Sequence, residues 1–100
     1  MFIYHIVLPE VWKQFDGKPS YQAASLATEG FIHCSYENQL PAVLRRYYSN
    51  ADSVVILKLD TAKLRSKLVE EPSTNNEVYP HIYGRINRDA IVGVEEKRLG

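Results

Sequence analysis

The run GFIHCSYENQLPAVLRRYYSNADSVVILKLD, residues 30–60, decides the fold class. It opens on a glycine that turns the chain into Phe31–Ser35, which reads as a strand. Leu40, Val43, Leu44, Tyr47 and Tyr48 then recur at i, i+3, i+4, i+7 and i+8, one face of an amphipathic helix. Pro41 fits because it lies near the helix start, where backbone donors have no partner anyway. Ser53–Leu59, SVVILKL, is apolar on both faces and predicts a central strand. Asp60 or Thr61 would cap a short helical turn around Lys63 to Arg65.

Toward the N-terminus, Phe2–Val7 is aromatic and β-branched, a second strand. Leu8, Val11, Trp12 and Phe15 mark one face of a short helix that begins at Pro9 and ends in the turn Asp16-Gly17-Lys18-Pro19. Ser20 would cap another short helix, with Ala23, Leu26 and Ala27 turned inward and Gly30 closing it. Toward the C-terminus, Leu68–Glu70, Tyr79–Tyr83 and Ala90–Glu95 read as strands, and Glu70–Glu77, EEPSTNNE, reads as a loop. The order β-α-α-β-α-β followed by strands is α+β: one domain, residues 1–100, with two to three short helices.

Composition is consistent with this. One hundred residues can bury a single core, and 45% hydrophobic with 24% charged residues is ordinary for a globular chain and excludes a mostly disordered one. Twelve basic residues balance twelve acidic ones, so there is no clear nucleic-acid surface. The single cysteine excludes an intrachain disulfide and a cysteine-rich zinc module, and fits a reducing cytoplasm. No apolar run approaches the length of a membrane span, and the start MFIYHIVLP reads as a strand rather than a leader.

All three histidines stand in apolar strands beside Tyr or Phe: Tyr4-His5-Ile6, Phe31-Ile32-His33-Cys34-Ser35 and Tyr79-Pro80-His81-Ile82-Tyr83-Gly84. Strand alternation puts Ile32 and Cys34 on one face and Phe31, His33 and Ser35 on the other. Tyr79, His81 and Tyr83 likewise share a face, a suitable bed for a planar ring. Any one of these histidines alone reads more readily as a hydrogen-bonded structural residue; the functional reading comes from the coincidence of all three. Pro80, lacking an N–H, suggests that the His81 strand is an edge strand. Adjacent strand residues point opposite ways, so His33 and Cys34 cannot form a nucleophilic pair, and Cys34 is expected to be a small buried hydrophobe. No metal site is expected: the three histidines lack a ligand spacing such as HExxH, and no glycine-rich phosphate loop is present. Glu70-Glu71-Pro72 reads as a solvated loop edge, above all at Glu70, with the alternative that one carboxylate reaches the histidines and orients an imidazole or a sugar hydroxyl.

In order, His5-Ile6, Trp12, Ser25-Leu26-x-x-Glu29-Gly30-Phe31-Ile32-His33-Cys34-Ser35, the apolar strand before Asp60, Glu71-Pro72 and Pro80-His81-Ile82-Tyr83-Gly84 form a pattern that spans nearly the whole chain. It resembles the bacterial family called domain of unknown function 952. More distantly, Gly30–Asp60 resembles the RNA 2′-phosphotransferase branch of the ADP-ribosyltransferase superfamily. That likeness implies a split, twisted β-sheet whose cleft binds NAD. It implies His5 on the ribose hydroxyls of the nicotinamide side, His33 and Ser35 along the same cleft, and Glu71 or His81 near the scissile ribose. Phe31, Tyr79 or Tyr83 would hold the nicotinamide ring. The candidate catalytic residues are thus His33, Glu71 and His81, and the candidate ligand contacts His5, Phe31, Ser35, Tyr79 and Tyr83. The functional expectation is a small transferase-like protein for NAD or ADP-ribose, with NAD as substrate or ligand. The alternatives are a non-catalytic binding module or a protein-interaction module on the same fold.

Overall fold

A computed structural model describes residues 1–99. Eight strands and three short α-helices follow one another as β1 (Phe2–Val7), α1 (Pro9–Trp12), β2 (Ser20–Tyr21), α2 (Ala24–Glu29), β3 (Ile32–His33), α3 (Leu40–Tyr47), β4 (Ser53–Asp60), β5 (Lys67–Pro72), β6 (Val78–Tyr83), β7 (Ile86–Asn87) and β8 (Ile91–Arg98). All pairings are antiparallel, in the orders β1-β4-β8, β3-β6-β5 and β2-β7. The α+β class holds.

β4 is the middle strand of its sheet, and its double-sided apolar sequence explains why. Val55, Leu57 and Leu59 pack with Ile3, Val7, Tyr21, Ile32, Cys34 and Ile82 in the main core. Val54 and Ile56 face the other way and join Ile6 under Leu40, Val43, Leu44 and Tyr48. The stripe that predicts α3 is therefore, apart from the exposed Tyr47, the lid of a second, smaller core. Truncating Leu57 or Leu59, both fully buried, would cost about 2–5 kcal/mol, transfer and cavity together.

One bridge joins the two three-stranded sheets. Tyr4 N–H donates to the Ser35 carbonyl at 2.8 Å, and Ser35 N–H donates to the Tyr4 carbonyl at 2.7 Å. In an antiparallel ladder the next rung would pair Ile6 with His33. That rung is missing, so the combined sheet is split between β1 and β3.

Several local expectations change. Ser20 is not a helix cap; it lies in β2 opposite Asn87, and α2 starts after Ala23 with no side-chain cap. Ala27 is exposed, whereas Ala23 and Leu26 pack on the core. Leu8 belongs to the smaller core, apart from Val11, Trp12 and Phe15. Asp60 caps its turn by accepting from Ala62 N–H at 3.0 Å, and that turn is Thr61–Lys63 rather than Lys63–Arg65. Glu70, Glu71 and Pro72 are strand, not loop. The β6 strand is central, not an edge. Pro80 is tolerated there because its carbonyl accepts from Cys34 N–H at 3.1 Å, so its missing donor faces β3 just past that strand's regular end. Gly30, at φ +90, closes α2 in the left-handed conformation its sequence predicts.

Candidate functional site

The split in the sheet is filled by a side chain. His5 Nδ1 lies 2.7 Å from the His33 carbonyl, the acceptor that the absent Ile6 rung would have used, and His5 Nε2 lies 2.8 Å from the Tyr21 hydroxyl. A carbonyl only accepts, so Nδ1 carries the proton and Nε2 accepts from Tyr21 O–H. Burial lowers the His5 ring to about 4, against the pull of the His33 carbonyl, and keeps it neutral. Burial likewise pushes the Tyr21 hydroxyl up, so it stays a donor. Tyr21 is packed by Phe15, centroid to centroid 4.8 Å, and by Trp12 at 5.7 Å.

Beside this split opens a cleft of about 620 Å³ lined by His5, Tyr21, His33, Ser35, Tyr79 and, from α3, Tyr47 and Tyr48. Alternation holds in part: Ile32 and Cys34 are buried and His33 turns outward, but Ser35, expected on the open face with His33, is buried as well. Burial pushes the Cys34 thiol well up, which leaves it inert at neutral pH. His33 Nε2 lies 3.1 Å from a Glu29 oxygen at the cleft mouth. Thr74, in the turn between β5 and β6, closes the far side by a 2.8 Å bond to the Tyr47 hydroxyl. Among the described residues no lysine or arginine lines the cleft, and Glu29 is its one charged side chain.

Four of the singled-out residues stand next to the cleft rather than in it. Register places His33 opposite His81, their rings 5.4 Å apart and nearly perpendicular. Phe31 stacks on His81 at 4.2 Å and 21°, and lies 5.4 Å from the Tyr83 ring. Glu71 accepts from His81 Nδ1 at 2.7 Å and from the Tyr83 hydroxyl. The Tyr83 and His81 bonds together hold the Glu71 carboxyl below its ordinary range. Tyr79 lines the cleft and donates to Glu77 at 3.2 Å. Thus His5, His33, Ser35 and Tyr79 share the cleft, while Phe31, Glu71, His81 and Tyr83 form an adjoining layer joined to it through His33. Glu70 goes elsewhere, to the Tyr36 hydroxyl.

Tyr21, Glu29, Tyr47, Tyr48 and Thr74 also line the cleft and are not among the residues that the sequence singles out for the site. Glu29 was legible in part, as a carboxylate four residues before His33 across the Gly30 turn. Nothing local marks Tyr21 as the partner of a histidine 16 residues earlier.

The family model described as "Protein of unknown function (DUF952)" matches residues 6–94. The crystal structure of protein CC0527 from Caulobacter crescentus is 21% identical, with a TM-score of 0.88, covering 100% of this chain and 89% of that one. The solution structure of CC0527 gives 21% identity and a TM-score of 0.83, over 99% of this chain and 86% of that one. At this identity the likeness shows the fold. No curated protein matches the sequence.

Proposed function

The chain belongs to the DUF952 family of proteins of unknown function, and we propose, from that premise and the geometry of its cleft, that it binds a nucleotide of the NAD or ADP-ribose class. The observation that carries this reading is the split between β1 and β3, with a cleft of about 620 Å³ beside it. That volume falls in the range of small-molecule sites. Tyrosine walls suit a flat base or nicotinamide ring, and Ser35 and His33 suit ribose hydroxyls. A split antiparallel sheet with a histidine on its first strand supports an ADP-ribosyltransferase-like fold.

The residue roles need one refinement. Both His5 nitrogens are already bonded inside the fold, so His5 is a positioning residue that fixes Tyr21 and the His33 main chain. The ligand's ring and ribose would meet Ser35, His33 and Tyr79. Its phosphates would stay at the mouth, because no cation lines the interior. Arg46, 5.8 Å from the Tyr47 ring, is the nearby cation on that side.

In the catalytic version the ribose carbon is attacked as nicotinamide leaves, with His33, Glu71 and His81 supplying the polar groups. The binding-only version has an observation in its favour: Glu71 and His81 do not line the cleft. Thermal denaturation with NAD and ADP-ribose tests the shared claim. A ligand specific to the folded state adds about 2.7 kcal/mol at a hundredfold excess over Kd, and no shift with either compound at millimolar concentration would sink the reading. Nicotinamide release then separates enzyme from binder.

A further inference from the structure

We propose that Glu71 and His81 form a proton-accepting dyad for a hydroxyl-bearing ligand, and that Phe31 is its removable cover. The inference rests on the nucleotide reading only for the identity of the ligand; the dyad and its cover stand on geometry alone.

His81 is only 3% exposed. Its Nδ1 faces a carboxylate at 2.7 Å, and an ionised carboxylate only accepts, so Nδ1 holds a proton; a ring carrying only that proton presents a lone pair at Nε2. Among the described residues, Nε2 is the one buried side-chain nitrogen or oxygen with no hydrogen-bond partner. Folded proteins rarely leave such an atom unmatched, and one that persists asks for a partner not yet in place. An O–H group supplies what a bare ring nitrogen lacks. The orienting carboxylate is itself satisfied, because the Tyr83 hydroxyl also donates to it. Carboxylate, oriented imidazole and free lone pair are the parts a general base needs.

One face of the ring is covered by Phe31, stacked 4.2 Å away. That phenyl is half-buried and leans on other rings, with no anchor deeper in the core. Its position is held by the main chain, where Ser25 Oγ donates to the Phe31 carbonyl at 2.8 Å. The side chain can therefore swing away without moving β3. His33, edge-on to His81 and lining the cleft, makes the two places neighbours.

Long-range 1H–15N correlation of the labelled protein reads the tautomer, with a protonated Nδ1 and a bare Nε2 expected at His81. Diethyl pyrocarbonate acylates unprotonated imidazole nitrogen, and peptide mass mapping gives the rate at each histidine. Phe31→Ala should raise the His81 rate several-fold relative to exposed His33, with Phe31→Leu as the milder variant should the first fold poorly. ADP-ribose should move the His81 Nε2 resonance in the unmodified protein. A proton on Nε2, or an unchanged His81 rate in both variants, overturns the dyad and its cover. ADP-ribose that raises Tm without moving Nε2 overturns the ligand half alone. ADP-ribose that gives no thermal shift defeats the nucleotide reading, while the tautomer and the acylation rates still decide the dyad.

Discussion

His5 Nδ1 donates to the main-chain carbonyl of His33 at 2.7 Å, so the first-strand histidine holds the second through its backbone rather than through its ring. A side chain thus replaces a rung of the sheet. The split stays open at the cleft without leaving a buried carbonyl unpaired.

Tyr21 completes that arrangement. Tyr21→Phe keeps the ring contacts to Phe15 and Trp12 but removes the donor to His5 Nε2. A buried acceptor without a partner costs about 1–3 kcal/mol. The urea midpoint should fall accordingly with the m-value unchanged. An unchanged midpoint would mean that water reaches the ring nitrogen.

Stability should also depend on pH through His5. Its folded pKa is about 4 against an ordinary 6.5, so between these values the unfolded chain binds a proton that the folded one excludes. The contribution is complete above 6.5, declines as pH falls, and is lost near 4. Integrated over that window it amounts to roughly 3 kcal/mol. Denaturant titrations at pH 7 and pH 4.5 check it. His5→Gln, which cannot protonate, should show a shallower fall between the two. Equal slopes in the two proteins would refute the assignment.

What the sequence revealed depended on periodicity. α3 and β4 were legible because their apolar residues repeat at helix spacing and at strand density, and both cores follow from them. The inward Ile32 and Cys34 and the outward His33 were legible from alternation, but the burial of Ser35 was not, because it comes from the bridge to Tyr4. The two-residue strands β2 and β7 were not, because Ser20-Tyr21 and Ile86-Asn87 are too short for any period. β5 was cut short because Glu70-Glu71-Pro72 has loop composition; β6 holds it in place, with Glu71 opposite Tyr79 and Pro72 opposite Val78. For the candidate site, residue type and face were readable. The division into a cleft and an adjoining Phe31–His81 layer was not, because it depends on where β1 and β3 part.

Gly84 shows how tightly the end of β6 is built. Its φ is +152°, and an added Cβ would sit 2.9 Å from Ser66 Cβ, with Ser66 Oγ closer still. Gly84→Ala should lose about 2 kcal/mol or more, from backbone strain and the clash together. Ser66→Gly in the same chain should recover the steric part, although it also removes the 2.6 Å Ser66 bond to the Arg85 carbonyl. Melting temperatures of the single and double variants measure this. No recovery would assign the whole loss to φ.

The last prediction concerns His33, the residue shared by the cleft and the Phe31–His81 layer. Its ring is half-exposed, and its one polar side-chain partner is Glu29, itself half-exposed. Such a pair contributes about 0–1 kcal/mol. The carbonyl that His5 needs belongs to the main chain and survives in alanine. His33→Ala should therefore fold with nearly unchanged stability. The same substitution takes an imidazole out of the cleft beside Ser35 and removes the edge-on neighbour of His81. Binding of ADP-ribose, read by thermal shift or calorimetry, should disappear. Ser35 is buried at the bridge to Tyr4, and its substitution would confound folding with binding, which makes His33 the cleaner probe. A large loss of stability with affinity intact in the folded fraction would overturn this. His33 would then be a structural histidine, and the ligand contacts would have to come from Ser35 and the tyrosines.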